Sequence, residues 1–202
     1  EAKYGSDKLV KVAHRLDQDT SGLLIATFGP VSFKVMQTLF ATRQVKKTYI
    51  AELEGDYKSN GIPRQGRIEL PLSPDWLDRP RQRVDFDGGK EAVTDYEFID
   101  PTEEDHFISP AEEDYFRGHA KEKHSRIIFH PLTGRTHQLR VHAASDLGLG
   151  MPIVGDRLYG THSTRTPSGK NTAKRLHLHA QKIEFTFPID GNHYCFESPV
   201  PF

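Results

Sequence analysis

The chain has 202 residues, enough for one substantial core or two small ones, and its 36% hydrophobic and 27% charged content suits a folded globular chain rather than a disordered one. No apolar run approaches the length of a bilayer span, Glu1, Ala2 and Lys3 open no apolar leader, and the lone Cys195 rules out an internal disulfide framework and fits a reducing cytoplasm. A formal net charge of −1 excludes a uniformly basic nucleic-acid binder, so any phosphate-binding surface must come from segregated charge.

In chain order, the absent initiator methionine and the early first motif read as a fragment lacking its N-terminal portion, with residues 1–202 as one domain. Residues 8–13 read as a strand, a polar loop follows, and the apolar run 23–26 reads as a buried strand. Gly29-Pro30 opens a helix with Val31, Val35, Met36, Leu39 and Phe40 on its core face. Residues 47–53 form a strand, with Tyr49, Ala51 and Leu53 on one side and Ile50 on the other. After a loop at 55–61 and a short strand at 66–70, residues 71–83 read as irregular, and Gly88-Gly89 as a turn. Residues 90–99 alternate Ala92, Thr94, Tyr96 and Phe98 against Val93, Asp95 and Glu97, as a strand does.

Residues 101–123 break the rhythm and read as a mobile acidic insertion in a hairpin connection. A strand at 125–130 and a helix at 136–147 follow, the helix with Leu139, Ala143 and Leu147 in register and Gly148 and Gly150 as its stop. Residues 152–154 open a short element, and 157–174 read as a flexible polar loop. Strands at 176–180, 182–187 and 193–197 finish the chain, with Cys195 as a small apolar filler. Strands outnumber helices without regular alternation, which predicts an α+β fold.

Charge is segregated along the chain. Arg43, Lys46 and Lys47 cluster, as do Arg79, Arg81 and Arg83, and Arg165, Lys170, Lys174 and Arg175; acid gathers at Glu103, Glu104, Asp105, Glu112, Glu113 and Asp114. Each basic cluster suits a solvated face as well as a phosphate track.

Three segments carry chemistry. The first is His14-Arg15-Leu16-Asp17-Gln18-Asp19-Thr20-Ser21-Gly22-Leu23-Leu24-Ile25, a charged loop at the mouth of an apolar run, where one carboxylate can be presented to a substrate. It also suits a surface turn whose Asp and Ser cap local backbone groups. The second is Lys46-Lys47-Thr48-Tyr49-Ile50-Ala51, a Tyr beside two Lys on a strand, equally a core aromatic with its hydroxyl satisfied. The third is His130-Pro131-Leu132-Thr133-Gly134-Arg135-Thr136-His137-Gln138-Leu139-Arg140-Val141-His142-Ala143, where a Gly turn and a helix start gather Arg, His and Gln.

Together these resemble the three ordered blocks of the RluA-type pseudouridine synthases. Pro152-Ile153-Val154-Gly155-Asp156-Arg157-Leu158-Tyr159-Gly160 and Leu176-His177-Leu178-His179-Ala180 are similar to later blocks of that family. Leu70-Pro71-Leu72 and Arg79-Pro80-Arg81-Gln82-Arg83 look most like its branch acting on both 23S rRNA and tRNA anticodon stem-loops. The resemblance implies a pseudouridine synthase fold, a mostly antiparallel or mixed central sheet with flanking helices and loops. It makes Asp17 the nucleophile at C1′ of a flipped uridine, or the stabiliser of a glycal route. Tyr49 would line the site and Leu139 pack on the base. Arg140 would ion-pair with Asp17 and keep it ionised. Arg15 would fill the space left by the base, and His14, Thr20 and Gly22 would help bind substrate. Arg43, Lys46, Lys47, Arg79, Arg81 and Arg83 are candidates for phosphate contact.

The isomerisation changes no oxidation state, so no cofactor is implied; a cytoplasmic monomer acting on structured RNA, with no membrane, is the expectation. The family's upstream Asn-Lys-Pro strand and N-terminal accessory domain are absent, and the acidic stretch is longer than its pattern. A metal site among His130, His137, His142, His177 and His179 is not expected, because their spacing matches no common ligand set. Two other readings stand beside this one. A silent RNA-binding module would bind without product. A nucleosidase or carbohydrate hydrolase would want a second carboxylate paired with Asp17, and Asp19 is only a neighbour in sequence.

Overall fold

The computed structural model describes residues 10–99, 124–161 and 175–202. In chain order its elements are β1 (Val10–Val12), β2 (Ser21–Gly22), β3 (Ala26–Phe28), α1 (Pro30–Ala41), β4 (Lys46–Glu54), β5 (Gln65–Glu69), β6 (Leu72–Pro74), β7 (Gln82–Val84), β8 (Val93–Ile99), β9 (His124–Pro131), α2 (Gln138–Ala144), β10 (Leu178–Thr186) and β11 (His193–Glu197). The main sheet runs β11–β10–β4–β9–β8–β5, antiparallel throughout, and β2 adds a short parallel pairing to β10. β1 with β3, and β6 with β7, form two small antiparallel ribbons. This is the expected α+β arrangement. Among the described residues no helix is long and apolar enough to cross a membrane.

The period-two pattern sets the core. In β9, Ser125, Ile127, Phe129 and Pro131 face inward while the residues between them are half-buried or exposed. Ala51, Leu53, Phe98, Ile127 and Phe129 lose all solvent exposure and pack with Leu139 and Ala143 of α2 and with Met151 and Ile153. Each such Phe or Leu contributes roughly 1.5–3 kcal/mol. A second cluster joins Met36 and Leu39 of α1 to Val45 and to Ile183 and Phe185 of β10. Pro30 stands at the first turn of α1, after Gly29 at φ 83.

The departures from expectation have local causes. The apolar run 23–26 is not a buried strand: Leu23 and Ile25 are half-buried and Leu24 is exposed, because the chain there leaves β2 for the outer β1–β3 ribbon. Val31 is exposed in the first turn of α1, off the face that Met36 and Leu39 bury. The stretch 71–83, expected to be irregular, holds β6 and most of β7, which pair with each other. The two strands expected across 176–187 are one, β10, which bulges between Ala180 and Lys182. Cys195 is exposed, since β11 forms the sheet edge and packs little on either face. The second helix is shorter than 136–147: it ends at Ala144, and Leu147 is exposed beyond it. The acidic segment 101–123, and Arg165, Lys170 and Lys174, lie outside the described residues.

Candidate active site

The loop 14–22 is fixed at both ends. His14 Nε2 accepts the Ile25 N–H at 3.0 Å, and its ring lies 4.8 Å from that of Phe40 in α1. Burial, then the charge of Lys47, lowers the His14 pKa, consistent with a neutral ring holding its proton on Nδ1. The Thr20 N–H donates to the Asp17 carbonyl at 3.1 Å and closes a turn, with Asp19 at φ 71, a conformation that Asp tolerates. At the far end Gly22, at φ 111, presses on β10: a Cβ there would stand 2.3 Å from the Ala180 carbonyl oxygen. Glycine is required here so that β2 can dock on β10.

This loop forms one wall of a cleft of about 510 Å³. Asp17, Tyr49 of β4 and Leu139 of α2 line it, together with His14, Arg15 and Thr20. Among the described residues that line it, Asp17 is the sole carboxylate, whereas Arg15, Arg43, Lys47 and Arg135 are bases. The near-neutral chain thus concentrates positive charge around one acid. Among the described residues the buried Thr20 hydroxyl has no hydrogen-bond partner, an open donor in the cleft wall. Burial, followed by the nearby Asp17 charge, pushes the Tyr49 phenol up to about 12, so it remains protonated at neutral pH.

Helix α2 forms the floor and is buried along most of its length, polar residues included. Each buried polar group is satisfied. Gln138 Oε1 accepts from the Thr133 hydroxyl and the Arg135 N–H, while Nε2 donates to the Val93 carbonyl and Thr94 Oγ1. His142 bridges Thr94 and the Leu70 carbonyl, and burial pushes its pKa down to about 4. His137, the N-cap, adopts the left-handed conformation at φ 54 and meets the Tyr159 hydroxyl at 2.8 Å.

Arg140 corrects a specific expectation. Its Nε and Nη2 donate to the two oxygens of Asp156, each at 2.7 Å, so its carboxylate partner is Asp156 and not Asp17. No ion pair joins Arg140 to Asp17 among the described residues. Burial alone would lower the Arg140 pKa; the Asp156 hydrogen bonds and charge outweigh it, and Asp17 adds a smaller push in the same direction. Asp17 is therefore within electrostatic reach of Arg140, as it is of Tyr49 and His137.

The remaining candidates divide. Gly22 does not line the cleft, and its role is to seat β2. Lys47 lines it and donates to the Thr133 carbonyl at 3.3 Å, whereas Lys46 is exposed outside the lining. Arg43 lines the cleft but holds Glu91 at 2.6 Å. Arg79, Arg81 and Arg83 belong to the β6–β7 ribbon, away from the lining. Asp156, Tyr159, Thr133 and Gln138 had no assigned role from sequence. The available signal was the block from Pro152 to Gly160, whose buried acid needed a cationic partner.

The family model described as RNA pseudouridylate synthase matches residues 2–145. The chain is 35% identical over 94% of its length to the dual-specificity RNA pseudouridine synthase RluA of Escherichia coli K12, 73% of which it covers. It is also 35% identical over 99% of its length to the RluA enzyme of Haemophilus ducreyi, covering 77% of it. Human RNA pseudouridylate synthase domain containing 1 superposes with a TM-score of 0.72 at 26% identity, over 96% of this chain and 70% of that one. The chain belongs to the RNA pseudouridylate synthase family. Its activity is the isomerisation of uridine to pseudouridine in RNA.

Proposed function

We propose that Asp17 is the carboxylate that performs this isomerisation, on uridines of rRNA, tRNA or both. The observation that carries the reading is the cleft itself, in which, among the described residues, one acid stands among four bases. A uridine flipped from its stack brings a neutral base and flanking phosphates, which suits that charge pattern. The N1–C1′ bond breaks, with Asp17 either bonding to C1′ or stabilising a glycal. The uracil turns, C5 bonds to C1′, C5 loses its proton and N1 gains one. No electrons are gained or lost, and the reaction calls for no cofactor.

Tyr49 stacks on the uracil and, as a protonated phenol, serves as a hydrogen-bond donor or proton relay rather than a standing base. Leu139 packs against the base, and Thr20 offers its free hydroxyl. Arg15, exposed at the cleft rim, fills the gap left in the RNA stack. His14 braces the loop. Arg140, held by Asp156, supplies fixed positive charge near Asp17. Arg43, Lys46 and Lys47, with Arg79, Arg81 and Arg83, contact phosphates. The reading includes a monomeric catalytic domain in the cytoplasm, where an exposed free thiol such as Cys195 stays reduced.

The dual-specificity names of the relatives support both RNA classes as targets. The test is incubation with unmodified tRNA and 23S rRNA transcripts, followed by mapping of pseudouridine by carbodiimide-dependent reverse-transcription stops. Discrete new sites in either RNA are expected. Binding to both RNAs with no new site would instead mark a silent RNA-binding module.

A further inference from the structure

The tip of the β6–β7 ribbon carries two large apolar side chains that the fold does not use. Trp76 is 69% exposed and Leu77 99% exposed. The loop that holds them is nevertheless well braced. Asp75 Oδ1 accepts the N–H groups of Leu77 and Asp78, the Asp75 N–H donates to the Arg81 carbonyl, and the Arg81 N–H donates to the Asp78 carbonyl. The Arg81 guanidinium pairs with Asp78 at 3.1 Å and also donates to the Leu158 carbonyl. An apolar tip on a braced loop is presented to solvent, which is a feature of contact surfaces.

The chemistry of the tip selects the partner. The Arg79 guanidinium lies 4.0 Å from the centre of the Trp76 ring system and makes no ion pair or hydrogen bond among the described residues. The neighbouring Asp78 is held by Arg81. An indole with a cation on one face and the rest open, beside a guanidinium without a direct ion pair among the described residues, matches a nucleobase with its phosphate.

The ribbon is also tied to the active site. The Gln82 N–H donates to the Tyr159 hydroxyl at 2.7 Å, and that hydroxyl meets His137. Arg81 and Arg140 each lie 5.2 Å from the Tyr159 ring centre.

We propose that Trp76, with Arg79 beneath it, is a stacking platform for an unpaired base of the substrate RNA, outside the cleft that takes the target uridine. The inference rests on the RNA reading of the cleft and adds a second point of RNA contact. Base–aromatic stacking tolerates any base, so the platform holds the RNA without reading its sequence.

Trp76 is the only tryptophan in the chain, so its fluorescence reports on the platform alone. The probes are an unmodified tRNA anticodon stem-loop and a 23S rRNA fragment carrying a fluorescein at one end, so that anisotropy measures binding independently. Binding should quench Trp76, and Trp76→Ala should weaken binding about ten-fold while Trp76→Phe stays within about two-fold. Arg79→Gln should weaken binding and flatten its salt dependence by about one charge. Unfolding midpoints of the variants equal to wild type would show that the loss is not a folding defect. Binding that leaves Trp76 fluorescence unchanged, or that survives Trp76→Ala at full strength, overturns the platform and leaves the cleft reading intact. No binding of either RNA by wild type overturns both.

Discussion

Arg140 and Asp156 face each other through two parallel hydrogen bonds of 2.7 Å, with 5% and 0% of their side chains exposed. Asp156 Oδ1 also accepts the N–H groups of Leu158 and Tyr159. The pair thus locks α2 to the turn after Ile153 and fixes the guanidinium near Asp17. Removing one partner leaves a buried charge unpaired. Asp156→Ala should cost about 3–5 kcal/mol of stability, read from the denaturant midpoint. A change within about 0.5 kcal/mol would show that the pair is solvated and not a structural lock.

Tyr49 should act in its neutral form. Tyr49→Phe should lower kcat about 100-fold with KM within about two-fold. Because burial and Asp17 push the phenol up to about 12, the wild-type rate should not climb from about pH 8 to about pH 10. A rate rising roughly ten-fold per pH unit over that span would assign the work to the phenolate.

Gly22 tests the seat of the loop that carries Asp17. An added methyl meets the Ala180 backbone at 2.3 Å, in a backbone conformation at φ 111 that L residues rarely adopt. Gly22→Ala should destabilise by about 2 kcal/mol or more and lower kcat, because β2 and the loop before it must shift. Wild-type stability and rate would mean that β2 does not seat on β10 in solution.

His142 gives the protein a pH dependence of stability. Burial lowers its pKa from 6.5 in the unfolded chain to about 4 in the fold. Between those values the unfolded state binds the extra proton, so stability is full above about pH 6.5 and falls as the pH drops towards 4. The full loss is on the order of 3 kcal/mol. His142→Asn should flatten that part of the profile, measured by urea unfolding at about pH 7 and about pH 5. An equal slope in both proteins would place the titrating group elsewhere.

Much of this was legible in the sequence because alternation is a local signal. The inward residues of β4, β8 and β9 follow from period two, and α1 from Gly29-Pro30 and its apolar stripe. Asp17, Tyr49 and Leu139 meet in one cleft, as their motifs implied. The partner of Arg140 was hidden because ion pairing depends on how a loop returns, and Asp156 lies beyond the end of α2 on an irregular segment. Leu23 to Ile25 misled because an apolar run does not reveal whether a sheet or solvent lies beside it. Gly22 reads as a site residue from its motif, yet its work is steric and only the nearness of Ala180 exposes it.

The most direct test of the account is tritium release from RNA labelled at uridine C5, comparing wild type with Asp17→Asn. Release by the wild type, with none above background from a folded Asp17→Asn that still binds the RNA, is the predicted result. Release by Asp17→Asn at a rate near wild type would contradict it and move the chemistry to another group in the cleft.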